Sequence, residues 1–238
     1  MTGVVGKGVA VAAVALSAAV AGASMAAAET AYHFCTPDTV QPDGMCHFDA
    51  TNMVFPSDIT VKIPAKYADQ GAVEDYLSTT VNEYEANVRS VQPAADASSF
   101  TATGTLYSSQ KPATQSEVLL ITENISGTAH PMTSYKTFTV GGASHQPIAL
   151  DQLFTPGTRP AELLYPLVTK QLQSPTKLGP DFSIPDDIGL NPATYQNFAV
   201  TDDAILFFFG QGDLGLPGTA DVTFTKQSLA GHLNSDFV

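Results

Sequence analysis

Residues 198–209 read FAVTDDAILFFF, and this stretch decides the fold class. Two apolar runs, 198–200 and 204–209, flank Thr201-Asp202-Asp203, whose short polar side chains favour a tight turn. The pattern predicts a β-hairpin. Phe207-Phe208-Phe209 places aromatic rings on both faces of the second strand, because successive strand residues point to opposite sides. We expect this strand to lie buried in the middle of a sheet, since an exposed edge with three phenylalanines would aggregate.

Another hairpin is predicted upstream, with a strand over 134–140, a turn at Gly141-Gly142 and a return over 146–150. Alternating or continuous apolar residues indicate further strands within 48–63, 100–107, 117–123 and 222–224. Turns join several of these strands directly, so strands and helices do not alternate as they do in doubly wound α/β proteins. We therefore predict an α+β fold with mixed or antiparallel sheets and hairpins.

Two helices are predicted, one in each half of the chain. The first is a long amphipathic helix over about 69–89 that begins at Asp69 as the N-cap. Its apolar positions recur at spacings of three and four residues: Val73, Leu77, Val81, Tyr84 and Val88. The second helix is expected over 160–173, with leucine and valine residues along one side.

The charge balance excludes several functional classes. The 238 residues include 10 Lys+Arg and 23 Asp+Glu, which gives a formal net charge of −13. Nucleic-acid binding and docking on anionic membranes both require a basic face, so neither is expected. A hydrophobic share of 44% is too high for a disordered acidic chain. The composition therefore indicates a compact acidic globular protein.

Residues 1–28 have the pattern of a secretory signal peptide. Lys7 precedes an apolar run over 8–23, and Ala26-Ala27-Ala28 supplies small residues for cleavage before Glu29. An uncleaved membrane anchor is the alternative, but the run is rich in alanine and only weakly hydrophobic. We expect a secreted, extracellular protein, or one held at the cell envelope, with no stable membrane span after cleavage.

Export changes the interpretation of Cys35 and Cys46. In an oxidising compartment, two cysteines with ten turn-rich residues between them are expected to form a disulfide. His33 and His47 flank the pair, so a Cys2His2 metal site is the alternative. Each histidine is only one or two residues from its cysteine, which would crowd four ligands, and we expect no metal or cofactor.

No catalytic motif is evident. The Gly-x-Ser-x-Gly elbow of α/β-hydrolases is absent, and its nearest approximation, over 142–146, falls in a predicted turn. A triad depends on geometry alone, so three histidines outside the cysteine region are available as bases: His130, His145 and His232. His130 is the candidate to examine first, because it lies in the loop 127–131 between two predicted strands. It could act as a base or polar anchor, or simply shape the turn. The catalytic residues stay unassigned.

Neighbouring carboxylates are explained by simpler roles. Asp202 and Asp203 are adjacent, so in a strand they would point to opposite faces, and we interpret them as turn residues. Asp181, Asp186 and Asp187 lack the spacing of an EF-hand calcium loop.

A series of short motifs points to one protein family. They occur in order along nearly all of residues 29–238: the Cys35/Cys46 pair, Tyr67-Ala68-Asp69-Gln70, His130-Pro131, Tyr135-Lys136-Thr137-Phe138, Pro147-Ile148, Leu153-Phe154, Tyr165-Pro166, Gly189-Leu190-Asn191-Pro192 and Tyr195 to Asp203. In these motifs the chain resembles the mycobacterial immunogenic secreted proteins, the MPT-sixty-four antigens. Their C-terminal half is similar to the RsiV-like domain of certain anti-sigma factors. Residues 212–217 depart from the pattern, because relatives usually read Gly-Glu-Leu-Leu-Pro there.

The resemblance implies an α+β body in which an N-terminal part with the disulfide, residues 29–110, is joined to an RsiV-like part, residues 111–238. It implies two functions. The first is a secreted, antigen-type binding module, a monomer whose partner is an extracellular protein or a small lipid or ester ligand. The alternative is a secreted carboxylesterase that hydrolyses short-chain acyl esters.

Overall fold

The computed structural model describes residues 30–91 and 96–238. The predicted signal peptide, 1–28, and its cleavage site before Glu29 lie outside the described residues. Among the helices that are described, none combines the length and apolar composition that a membrane-spanning segment needs.

A five-stranded mixed sheet forms the N-terminal part of the fold. Its strands lie side by side in chain order: β1 Met45–Asn52, β2 Ser57–Pro64, β3 Ser98–Gln110, β4 Ala113–Asn124 and β5 Met132–Gly141. Neighbours are antiparallel except β2 and β3, which are parallel and are connected by helix α1, Gln70–Ser90. The predicted segment 48–63 is therefore two strands of a hairpin, with residues 53–56 between them. The domain boundary predicted after residue 110 falls in the turn between β3 and β4.

Helix α1 covers one face of this sheet. Its five predicted apolar positions are all buried against sheet residues that include Ile59, Phe100 and Leu119. The predicted helix is confirmed. Asp69 directly precedes it, but its side chain makes no capping hydrogen bond. Its ψ of 54° is not the extended conformation in which a cap side chain reaches the first free N–H groups.

A three-stranded antiparallel sheet forms the second layer of strands. It contains β6 Phe198–Val200, β7 Ala204–Phe209 and β8 Ala220–Thr225, with β7 in the middle. The hairpin predicted from FAVTDDAILFFF is confirmed, and so is the central position of the phenylalanine strand. Phe207 and Phe209 lie in a core shared with helix α2, Pro160–Leu172. Phe208 faces the other way and contacts Tyr107 and Tyr135 of the five-stranded sheet.

The order of layers is therefore α1, five-stranded sheet, three-stranded sheet, α2, which confirms the predicted α+β class. Short helical segments complete the chain: Leu150–Leu153, α3 Asp186–Gly189, Pro192–Tyr195, α4 Lys226–Leu229 and Ser235–Phe237. The Cys35–Cys46 disulfide, with Cα atoms 5.1 Å apart, joins the start of the described chain to β1.

The hairpin predicted around Gly141-Gly142 is only partly formed. The turn is present, with the Gly141 N–H donating to the Gln146 carbonyl at 3.0 Å. The return over 146–150 is not a strand, and it pairs with β5 only at the single bridge from Pro147 to Val140. The bonds to β5 come from Gln146 and Ile148, so the N–H that Pro147 lacks would point away from β5. Pairing ends after Ile148 because the chain bends into the short helical segment Leu150–Leu153.

We predict that Phe207→Ala lowers the free energy of unfolding by about 3–5 kcal/mol, the usual cost of removing a buried aromatic ring. Phe207 is fully buried, and its ring contacts those of Tyr195, Phe198 and Phe224. Urea denaturation followed by circular dichroism measures the change. Leu190→Ala, at a side chain that is half exposed, is the control and should cost less than about 1 kcal/mol. Equal losses for the two variants would contradict the central role of β7.

Candidate functional site

A cleft of about 280 Å³ opens along the free edge of β5. It is close to the lower end of the roughly 300–1,000 Å³ typical of small-molecule sites. Three parts of the chain meet there: the start of α1, strand β5 with the segment that follows it, and the beginning of β6. The lining residues are Asp69, Ala72, Lys136, Thr137, Phe138, Thr139, Val140, Pro147, Ile148, Gln196, Asn197 and Phe198.

The free edge of β5 is closed at one end of the cleft by amide side chains. The Asn197 amide donates to the Tyr135 carbonyl at 3.0 Å, and its oxygen accepts from the Thr137 N–H at 3.1 Å. Gln211 covers the edge at Thr133 in a similar way. Its backbone N–H donates to the Thr133 carbonyl at 2.8 Å, and its side-chain oxygen accepts from the Thr133 N–H at 3.3 Å. Each amide therefore replaces part of a neighbouring strand, which protects an edge that would otherwise pair with another chain.

At the other end of the cleft, the segment after the turn closes the edge. The Ile148 N–H donates to the Thr139 carbonyl at 2.8 Å. The N–H and C=O of one residue in an antiparallel strand point to the same side. The Thr137 carbonyl and the Thr139 N–H therefore both point away from β4 toward the cleft. Neither is hydrogen-bonded to another residue within 30–91 or 96–238.

The walls of the cleft are mainly apolar, and two charged residues also line it. Phe138, Val140, Ile148 and Phe198 supply the apolar surface. The Lys136 ammonium lies 5.4 Å from the centre of the Tyr76 ring and 5.5 Å from that of Phe138, so cation–π attraction holds it at the rim. Asp69, which does not cap α1, supplies the negative charge.

A buried acid lies beneath the cleft. Glu117 of β4 is directly opposite Phe138 of β5 and is fully buried. Neither of its carboxyl oxygens is hydrogen-bonded to any described residue. Desolvation raises the pKa of Glu117 to about 8, so the group is protonated at neutral pH. Gly104 makes room for it, since a Cβ atom there would lie 2.7 Å from Glu117 Oε1.

Tyr67 fixes the backbone of β5 at Phe138, the residue opposite Glu117. Its hydroxyl donates to the Phe138 carbonyl at 2.8 Å. Burial, together with the nearby Glu117, raises the pKa of the Tyr67 phenol, which stays protonated and able to donate. The neutral Tyr67 side chain therefore helps to fix the part of β5 that lines the cleft.

The structure does not bring the three candidate histidines together. His130 is exposed, and its Nδ1 lies 3.2 Å from the Gln211 amide nitrogen and 3.1 Å from the Pro131 carbonyl. His145 follows the other end of β5, and ten strand residues span about 30 Å. His232 lies in a shallow groove beside Arg159 and Glu162. None of the three lines the β5 cleft, and no described histidine ring is hydrogen-bonded to a serine hydroxyl.

The flanking histidines of the disulfide also point to separate carboxylates. His47 Nε2 lies 3.1 Å from Asp43 Oδ2, whereas His33 Nδ1 lies 4.0 Å from Glu74 Oε2. Within the part of the chain that the structure describes, no group of three or more histidine, cysteine or acidic side chains is arranged to hold a metal ion.

Asp202, interpreted from sequence as a turn residue, links the two sheets. Its Oδ1 accepts from the Gln110 N–H at 2.5 Å and from the Ser109 hydroxyl at 3.2 Å. These bonds lower the pKa of the Asp202 carboxyl. Lys226 lies nearby and donates to the Lys111 carbonyl at 2.7 Å, and burial lowers the pKa of its ammonium. This cluster clamps the β6–β7 turn onto the β3–β4 turn.

Sequence reasoning missed the residues that build the cleft. Thr137, Thr139 and Asn197 were placed only as strand or motif residues, and Glu117 only as the start of an apolar run. The available signals were an acid at the head of a buried strand and an asparagine directly before β6. Neither signal shows which groups meet at the edge of β5.

Comparison with known proteins defines the class first. The model of a family described as "Protein of unknown function (DUF3298)" matches residues 151–224. A solved structure of a DUF3298 family protein from Pseudomonas aeruginosa PAO1 superposes with a TM-score of 0.56 at 13% identity. The match covers 84% of this chain and 98% of that one, and at this identity it shows the fold alone. The chain is thus an α+β protein that matches the DUF3298 family over residues 151–224.

Closer relatives define the family. The esterase Rv3036c of Mycobacterium tuberculosis is 40% identical over 179 residues, which cover 74% of this chain and 76% of that protein. The immunogenic proteins MPT64 of Mycobacterium tuberculosis and MPB64 of Mycobacterium bovis are each 36% identical over 167 residues, 69% of this chain and 72% of theirs. The chain belongs to the MPT64/MPB64 immunogenic protein family, as its motifs predicted.

We predict that Asn197→Ala lowers the free energy of unfolding by about 1–3 kcal/mol, because it leaves an N–H and a carbonyl of β5 unpaired. Thermal unfolding and hydrogen exchange of the Thr137 amide measure the effect, and Thr137 should lose protection. Gln196→Ala changes the neighbouring side chain, whose amide is exposed and bonds only the Pro192 carbonyl. That control should cost less than about 0.5 kcal/mol. Unchanged exchange at Thr137 would contradict the edge-capping role of Asn197.

We predict that Glu117→Gln becomes increasingly stable relative to the parent chain as pH rises. Below pH 4.5 the carboxyl is protonated in the folded and unfolded states, whereas between 4.5 and about 8 only the unfolded chain ionises. Over that range the parent loses about 1.4 kcal/mol of stability per pH unit from this group, and the variant does not.

Urea denaturation of both proteins at several pH values measures this difference. All other groups titrate alike in the two chains, so their contributions cancel. Gln227→Ala, at an exposed side chain that does not titrate, is the control and should give a constant difference from the parent. A constant difference for Glu117→Gln as well would show that this carboxyl is not desolvated.

Proposed function

We propose that this protein is an extracellular binding module and that the β5 cleft holds its ligand. The observation that carries the proposal is the combination of an apolar cleft with two backbone groups, the Thr137 carbonyl and the Thr139 N–H, that have no partner among the described residues. Small-molecule and peptide sites typically combine mainly apolar walls with a few polar groups that orient the ligand.

The position of the cleft supports the proposal. Four of the short motifs on which the family resemblance rests contribute to its lining, although they are far apart in the chain: the motifs containing Asp69, Lys136, Pro147 and Asn197. The backbone of β5 is also fixed next to the cleft, because Tyr67 bonds the Phe138 carbonyl and Asn197 bonds the free edge at Tyr135 and Thr137. A rigid site loses little conformational entropy when it binds a ligand.

An extracellular location is supported by two features. Residues 1–28 have the signal-peptide pattern, and the Cys35–Cys46 disulfide is the kind of bond that persists outside the cytoplasm. The ligand would then be a side chain of an extracellular protein or a small lipid or ester. The volume of about 280 Å³ restricts the bound part to roughly one amino-acid residue or a short acyl chain.

Ester hydrolysis is the second candidate function. The observation in its favour is that a relative 40% identical to this chain is named an esterase. A serine mechanism would need a hydroxyl within about 2.6–3.2 Å of an imidazole and N–H groups facing the developing oxyanion. His130, His145 and His232 each lack such a serine partner among the described residues. The geometry therefore favours binding.

We predict that the cleft binds at least one of two apolar probes, methyl hexanoate or N-acetyl-leucine N-methylamide. Binding should shift the backbone amide signals of residues 136–140 saturably in NMR titrations. Ala72→Trp should abolish these shifts, because residue 72 lines the cleft and an indole would fill it. Ala86→Trp is the matched control, since residue 86 is exposed on the same helix. If neither probe shifts these signals, the binding function is wrong.

Activity and labelling assays on the same protein variants distinguish the binding function from the esterase function. Under the binding proposal, 4-nitrophenyl hexanoate is not turned over beyond the level of slow hydrolysis by exposed histidines, and a serine-directed phosphonate labels no residue stoichiometrically. Stoichiometric labelling of one serine, with activity lost when that serine is replaced, would establish the enzyme instead. Loss of activity in His130→Ala alone would then identify the base.

A further inference from the structure

We propose that the cleft recognises one apolar residue of an extended polypeptide, held as a parallel β-bridge to Phe138. The inference rests on the proposed binding function and specifies its ligand. Its basis is the identity of the two open groups, a carbonyl on Thr137 and an N–H on Thr139, which flank residue 138 on the free edge of β5.

This pair matches the hydrogen-bond pattern of parallel strands. There, a single residue donates its N–H to the carbonyl before its partner residue and accepts from the N–H after it. A residue in the cleft would donate to Thr137 and accept from Thr139. The donor and acceptor of such a ligand lie on either side of one Cα atom. A peptide has this arrangement at every residue, whereas a simple ester has no donor at all.

The length of the open edge restricts the contact to one residue. Asn197 occupies the edge at Tyr135 and Thr137, and Ile148 occupies it at the Thr139 carbonyl. The gap from residue 137 to residue 139 is about 7 Å along the strand, too short for a continuous added strand. The partner chain must therefore cross the edge and insert one residue, with flanking residues outside the cleft.

The walls of the cleft indicate which kind of side chain the bound residue carries. Phe138, Val140, Ile148 and Phe198 surround the site with apolar surface, so an aliphatic side chain such as leucine fits their chemistry. Lys136 and Asp69 also line the cleft and can contact flanking charged residues of the partner. The bound residue thus combines backbone hydrogen bonds with a buried aliphatic side chain, the two components of strand-type peptide recognition.

The decisive experiment compares N-acetyl-leucine N-methylamide with its depsipeptide analogue, in which an ester oxygen replaces the leucine N–H. The two probes have nearly the same shape, but only the first can donate to the Thr137 carbonyl. We expect the amide to bind at least about tenfold more tightly, because the ester leaves a buried acceptor unpaired. The Thr139 amide proton should move downfield with both probes, since both retain the accepting carbonyl.

Each other outcome has a definite meaning. Equal affinities for the amide and the depsipeptide would overturn the β-bridge while leaving the binding function in place. Tighter binding of methyl hexanoate than of the amide would identify an acyl-chain site and also overturn the inference. Binding that persists in Ala72→Trp would place the peptide elsewhere. Ala86→Trp, which leaves the cleft open, should preserve the tenfold preference.

Discussion

Strand β7 is buried on both faces, and the arrangement of the two halves of the chain depends on this burial. Phe207 and Phe209 lie in the core with α2, while Phe208 contacts Tyr107 and Tyr135 of the other sheet. A buried aromatic side chain contributes about 3–5 kcal/mol, whereas a net hydrogen bond contributes about 1 kcal/mol. Hydrophobic contact therefore holds the sheets together, and hydrogen bonds set their alignment.

That alignment also creates the cleft. The Phe208 N–H donates to the Asn197 carbonyl at 2.9 Å, which positions Asn197 beside β5. Its side chain then satisfies two groups of the β5 edge, and Ile148 satisfies another. Much of this aggregation-prone edge is thus paired, and the open groups of Thr137 and Thr139 face the apolar walls of the cleft. Edge protection and the proposed ligand binding involve the same strand because both depend on unpaired backbone groups.

Charge is distributed unevenly in this acidic protein. Most of its carboxylates are exposed to solvent, but Glu117 is buried without a partner and Lys226 is buried beside the Asp202 turn. Burial shifts the two pKa values in opposite directions, since it favours the neutral form of each group. The family relationship does not by itself select a function, because one relative is named an esterase and others immunogenic proteins. The proposed binding function is supported instead by the open backbone groups of β5 and the apolar walls around them.

The sequence alone determined the elements whose signals are local: the α1 periodicity, the FAVTDDAILFFF hairpin and the α+β class. It also indicated the family through short ordered motifs. It misplaced the return after Gly141-Gly142, which pairs with β5 only at Pro147 before the chain bends into the helical segment Leu150–Leu153. Only the tertiary structure decided that β5 is an edge strand, that Asn197 caps it and that Glu117 lies beneath it. These features are contacts between residues that are distant in the chain. Hydrophobic burial determines which of these residues meet, and it leaves no local pattern in the sequence from which the contacts could be predicted.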